Sequence, residues 1–122
     1  MAKLSIRIAF EGTEPFGPGK VRLLELIEKE GSIRAAAAAM SMSYRHAWLL
    51  LQAVEDTFGA PAVATSTGGA GGGGAKLTDL GKRLVDRYRA IEANAARAAA
   101  ADLDELSRAA RGQAGKKRDN QR

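Results

Sequence analysis

The chain has 122 residues and a net charge of +5, with 45% hydrophobic, 27% charged and 5% aromatic residues. That length suits one domain, and the apolar content supports a core packed from Leu, Ile, Val and Ala rather than a wholly disordered chain. With no cysteine and one histidine, a disulfide framework, a Cys/His zinc site and a cysteine nucleophile are all excluded.

No apolar run approaches the ~20 residues that span a bilayer. The first ten residues mix charged and apolar side chains, unlike a signal peptide. The expectation is a soluble, cytoplasmic protein with no membrane partner. Charge is unevenly placed. Arg111, Lys116, Lys117, Arg118 and Arg122 against Asp119 give residues 111–122 a net +4, leaving +1 for the other 110 residues. Such a tail reads as a disordered, solvated terminus that can add non-specific affinity for phosphate.

In chain order, residues 3–10 set Leu4, Ile6 and Ile8 against Lys3, Ser5 and Arg7, the period of two of a half-buried strand. Glu11 to Gly19, with Pro15, Gly17, Pro18 and Gly19, reads as a loop. Lys20 to Glu30 carries Val21, Leu23, Leu24, Leu26 and Ile27 at helical spacing, and Gly31 ends that helix. Ser32 caps a short Ala-rich helix to about Met40. Ser43 caps a third, Tyr44 to Phe58, closed by Gly59 and Pro61. Residues 62–67 tolerate a strand, Gly68 to Gly74 suit no regular element, and Ala75 to Leu77 can return as a second strand. A last helix is expected from Thr78 or Asp79 to about Ala110. Its stripe Leu84, Tyr88, Ile91, Ala95, Ala99, Leu103 and Leu106 faces either the domain or a second subunit.

This order predicts a mostly α fold with a small β component: a winged helix-turn-helix with an N-terminal strand, a Gly-rich wing hairpin and a long C-terminal linker or dimerisation helix. The expected divisions are 1–78 for the DNA-binding domain, 79–110 for the linker helix packed on it, and 111–122 for the disordered tail. In this motif the second helix enters the major groove of double-stranded DNA and its first turn meets base edges.

Candidate contacts follow. With Ala47, Leu51, Val54 and Phe58 facing the core, the third helix presents Tyr44, Arg45, Trp48, Leu49 and Gln52. Arg45 can reach guanine O6 and N7, or a phosphate. Tyr44 can bond phosphate or stack on sugar. Trp48, the single tryptophan, is either core or a contact to thymine methyls. Leu49 is odd on a DNA face. His46 lacks partners for metal binding or catalysis and is read as a phosphate contact or solvated. Ser32, Arg34 and Ser43 suit backbone phosphates. Around the glycine run, Thr65, Ser66, Thr67 and Lys76 supply donors, while Gly69, Gly71 and Gly72 let backbone N–H groups approach DNA; the tip is expected to be mobile without DNA. The run is no P-loop, because Gly74 is followed by Ala75, Lys76 and Leu77. No cofactor, metal or catalytic constellation is expected, so the chain does not read as an enzyme. Leu84, Tyr88, Ile91, Ala95, Leu103 and Leu106 are the expected dimer contacts, a two-fold dimer placing recognition helices ~34–36 Å apart.

The run Gly31 to Glu55 resembles the helix-turn-helix of LysR-type regulators at Gly31-Ser32-Ile33, Ala36-Ala37, Met40, Ser43, Leu51 and Val54-Glu55. Ser43-Tyr44-Arg45 with Ala47-Trp48, then Thr67 to Ala75, Leu77-Thr78, Gly81 and Arg83-Leu84, resembles more closely the N-terminal DNA-binding domain of molybdate-responsive regulators of the ModE type. These motifs cover about residues 20–90. Full-length members continue into a pair of small β-rich molybdate-binding domains, for which a chain ending at Arg122 has no length. The resemblance therefore implies a stand-alone DNA-binding transcriptional regulator with an unknown small-molecule effector; from the apolar stripe of the last helix the expectation is a homodimer, associated with the nucleoid. Two alternatives stay open: a non-specific architectural DNA binder driven by the tail, and a dimerisation or adaptor module without DNA binding.

Overall fold

The computed structural model describes residues 2–67 and 73–120, the last nine as backbone only. Its elements are α1 (Pro18–Glu30), α2 (Ile33–Ala39), α3 (Tyr44–Phe58), β1 (Val63–Ser66), β2 (Gly74–Leu77), α4 (Asp79–Ala98) and α5 (Ala100–Asn120). They divide into two compact units. One is Ile6–Arg89; the other gathers the N-terminal residues up to Ser5 with Ala90 onward.

Local chemistry sets the helix ends of the first unit. Pro18 occupies the first turn of α1, where its missing N–H costs nothing and its fixed φ favours the helix. The helix thus starts two residues before Lys20, inside the segment expected to be loop. Gly31 and Gly59 close α1 and α3 in left-handed conformations, at φ 74° and 79°. The Ser32 Oγ accepts the Ala35 N–H at 2.9 Å, and the Ser43 Oγ accepts the His46 N–H at 3.0 Å.

The core centres on α1, whose Val21, Leu23, Leu24 and Ile27 are fully buried. Ile33, Ala36 and Ala37 of α2 and Ala47, Leu51 and Val54 of α3 close over it. Small alanines at the α2–α3 crossing let the two backbones approach. Between these helices Ser41 takes φ 56°, a left-handed turn that a non-glycine residue adopts at some cost. Phe16 packs edge-on to Phe58 at 5.3 Å and to Tyr88 at 5.8 Å.

The wing is an antiparallel pair in register Val63↔Leu77 to Ser66↔Gly74. Three bonds anchor it, two to the C-terminal end of α1 and one across its own base. The Ala75 N–H donates to the Gly31 carbonyl at 2.9 Å, and the Leu77 N–H to Glu28 Oε2 at 2.8 Å. The Thr78 N–H donates to the Ala62 carbonyl at 2.9 Å.

Several expectations are corrected. Residues 3–10 form no strand; Ile8 pairs with Phe16 in a single antiparallel bridge, through N–O contacts of 2.9 and 2.8 Å. The alternation is still visible, with Leu4, Ile6 and Ile8 half-buried and Lys3, Ser5 and Arg7 exposed. Its cause is that the following loop turns back after one pair, so no ladder extends. The C-terminal helix is divided into α4 and α5 at Ala99, although Ala99 N–H to Ala95 O and Leu103 N–H to Ala99 O, both 2.9 Å, carry helical bonding across. The helical backbone runs on to Asn120, past Ala110 and through residues expected to be disordered; no proline interrupts it there. No helix among the described residues is long and apolar enough to cross a membrane.

Candidate nucleic-acid interface

The start of α2, the first turns of α3 and the two wing strands border one open groove. Ser32, Ile33 and Arg34 line it from α2, Tyr44 and Trp48 from α3, and Thr65 to Thr67 with Gly73 to Ala75 from the wing. Seven residues expected to touch DNA are thus brought together: Ser32, Arg34, Tyr44, Trp48, Thr65, Ser66 and Thr67. The two cap hydroxyls of Ser32 and Ser43 already accept backbone N–H groups, which fixes where each helix begins.

Trp48 is outward, 42% exposed, and Tyr44 is 39% exposed, so the tryptophan is not core. Tyr44 meets Trp48 edge-on at 6.1 Å, and the Arg34 guanidinium lies 4.3 Å from the Tyr44 ring centroid. The core face Ala47, Leu51 and Val54 is buried, and Phe58 packs against it partly buried. Arg45, Ser43 and Lys76 are exposed and lie outside the lining of this groove. His46 lines a different cleft on the far side of α3, with Leu49, Gln52, Asp56 and Glu14. Leu49 is 57% exposed there, and Gln52 donates to Asp56 at 3.0 Å. Gly69, Gly71 and Gly72, and with them the expected mobile tip, lie outside the described residues.

Ile33, Gly73, Gly74 and Ala75 were not singled out as contacts. The strand register is the signal that finds them: Ser66 opposes Gly74 and Thr65 opposes Ala75, so the donors before the turn imply those after it. A Cβ on Gly73 would sit 2.7 Å from the Ser66 carbonyl oxygen. That glycine serves close strand approach as well as the groove.

One expected dimer contact is corrected. Tyr88 is 1% exposed and belongs to the core, with its hydroxyl donating to the Ile6 carbonyl at 2.6 Å. Leu84 also packs against that core. A stripe of period three to four has the same appearance whether it meets its own domain or a partner, and here its first turns meet the domain. Further along, Ala95 and Leu103 are half-buried, and Ile91 and Leu106 are 44% and 64% exposed.

The junction of α1 with α4 is held electrostatically. Arg89 grips Glu25 through both carboxylate oxygens, Nε–Oε2 at 2.9 Å and Nη2–Oε1 at 2.6 Å. That hydrogen-bonded guanidinium holds the Glu25 carboxyl below its ordinary value, outweighing the opposing effect of burial. Among the described residues no cluster of His, Cys, Asp and Glu could hold a metal.

Over residues 19–82, just over half of the chain, the sequence matches the family described as bacterial regulatory helix-turn-helix protein, lysR family. The chain belongs to that family. The LysR-type family is one of DNA-binding transcription regulators and not of enzymes. Similar curated proteins are a molybdenum transport protein ModE from Azotobacter vinelandii, 45% identical over 73 residues, and a molybdenum-pterin-binding protein MopB from Rhodobacter capsulatus, 44% identical over 81. The alignments cover 60% and 66% of this chain but only 27% and 30% of those proteins. A chain of the crystal structure of the CbnR_DBD-DNA complex superposes with TM-score 0.55 at 24% identity, covering 75% of this chain and 94% of that one. That likeness establishes the winged helix-turn-helix fold expected from the order of elements.

Proposed function

We propose that this LysR-type domain is the sequence-specific DNA-binding part of a transcriptional regulator. In this reading α3 lies in the major groove with Arg45 on a base edge, and the wing lies along the backbone or minor groove. The observation that carries it is the joint placement of the exposed Tyr44–Trp48 face and the wing strands on one groove. Core packing alone gives no reason to expose the single tryptophan there. Phosphate contacts come from Arg34, Thr65, Thr67 and Lys76, with Ser32 in the same groove and Ser43 and His46 meeting phosphates outside it; Gly69, Gly71 and Gly72 are taken as further backbone contacts to DNA.

The working form is a homodimer on a two-fold site in the cytoplasm, associated with the nucleoid. Exposed Ile91 and Leu106 support a partner helix along the C-terminal stripe, with Ala95 and Leu103 beside them. The names of the relatives carry molybdenum transport and molybdenum-pterin binding, so promoters of molybdenum-handling genes are the first duplexes to test.

The test is titration of a preferred and a scrambled duplex with wild type and Arg45→Ala. Loss of about 1–3 kcal/mol on the preferred duplex alone is expected for a bidentate base contact. Unchanged affinity for both duplexes removes Arg45 from the reading face.

A further inference from the structure

We infer that Tyr44 is a positioning residue for Arg34, so that the two side chains and Trp48 meet DNA as one preassembled unit. The inference rests on the DNA-binding reading above and deepens it. Arg34 is the second residue of α2, and Tyr44 is the first of α3. The intervening turn brings the guanidinium carbon to 4.3 Å from the Tyr44 ring centroid. Trp48, one turn further along α3, abuts that ring edge-on at 6.1 Å with an interplanar angle of 79°. All three line the groove shared with the wing.

The chemistry of this stack separates two roles. A guanidinium carbon 4.3 Å from a ring centroid is held by attraction to the ring face and not by hydrogen bonds, so its five N–H donors are not used up. Those donors stay available for a phosphate, which they match as a fork. Among the described residues no carboxylate pairs with Arg34, so nothing competes for the fork. An unstacked arginine would have to be ordered when DNA arrives. Ordering a long side chain beforehand is worth about two- to tenfold in affinity. The work is done by the Tyr44 ring and not by its hydroxyl, and Trp48 keeps the ring from turning away.

The experiment compares wild type, Arg34→Ala, Tyr44→Phe, Tyr44→Ala and the Arg34→Ala/Tyr44→Ala double variant on one selected duplex over a salt series. Arg34→Ala is expected to lower the slope of log affinity against log salt by about one. Tyr44→Phe, which keeps the ring, loses less than Tyr44→Ala, and Tyr44→Ala loses about two- to tenfold. That loss shrinks when Arg34 is already alanine. A second measurement uses protein without DNA. The Arg34 Nε–Hε NMR signal carries the ring-current shift of a stacked ring in wild type and Tyr44→Phe, and loses it in Tyr44→Ala. Equal losses for Tyr44→Phe and Tyr44→Ala, additive losses in the double variant, or no shift in wild type overturn the positioning role. Wild type that binds no duplex specifically overturns the DNA-binding reading itself.

Discussion

Gly81 sits in the first turn of α4, just after the wing, and the space around it is filled. A Cβ built there would lie 2.1 Å from the Ala62 carbonyl oxygen, 3.1 Å from its carbon and 3.2 Å from the Leu77 Cβ. The oxygen cannot simply yield, because it accepts the Thr78 N–H at 2.9 Å. Reaching ordinary contact requires a backbone shift of roughly 1 Å, the scale of overpacking that costs about 1–3 kcal/mol. Weakening the Thr78–Ala62 bond adds about 1 kcal/mol. Against this stands the helix-propensity gain of alanine over glycine, at most about 1 kcal/mol. Gly81→Ala is therefore expected to destabilise by about 2 kcal/mol net, or roughly 8–16 °C in Tm for a unit of this size. Gly19→Ala is the control. It is the same substitution in the first turn of α1, where a Cβ meets nothing within 4 Å. It should stabilise by about 0.4–1 kcal/mol. Urea denaturation followed by circular dichroism at the helical band measures both. A Gly81→Ala protein as stable as wild type would refute the packing of the wing against α4.

Three further outcomes are expected. The Glu25 carboxyl is held low by Arg89, so its stabilising share is complete above the ordinary value of 4.5 and is lost as pH falls below it; the stability gap between wild type and Glu25→Gln, about 0.5–1 kcal/mol for a partly exposed bidentate pair, should be flat from neutral pH down to that value and close at lower pH. Tyr88→Phe removes the hydroxyl that donates to the Ile6 carbonyl at 2.6 Å, and chemical denaturation should show a loss of about 1–2 kcal/mol. Ile91→Asp places a charge on an exposed apolar position of the proposed dimer stripe; sedimentation should show dissociation without loss of helical signal, whereas an unchanged association state would place the partner surface elsewhere.

Much of this architecture was legible because its signals are local. Ser32, Gly31, Ser43 and Gly59 mark helix ends through their own backbone geometry, and the α3 boundaries follow from two of them. The outward face of α3 followed from fixing Ala47, Leu51 and Val54 inward. What was not legible depends on residues far apart in sequence. Ile8 meets Phe16 only because the loop between them folds back, and no periodicity within residues 3–10 says whether one bond or a ladder results. Tyr88 sits on a stripe whose spacing fits a core or a partner equally, and the deciding contact is with Ile6. The Glu25–Arg89 grip spans 64 positions, and the Glu28 bond to the Leu77 N–H spans 49. Pro18 was different: a proline flanked by glycines reads as loop, yet it also suits the first turn of a helix, and the apolar run that follows favours the second meaning.

The central claim, sequence-specific binding by a two-fold pair of these domains, is tested most directly by selection from a random duplex library at near-physiological salt. The account predicts an enriched inverted repeat with half-sites about one helical turn apart, ~34–36 Å. Retention without any enriched sequence, lost on removing residues 111–122, would contradict it and leave the fold with a different use.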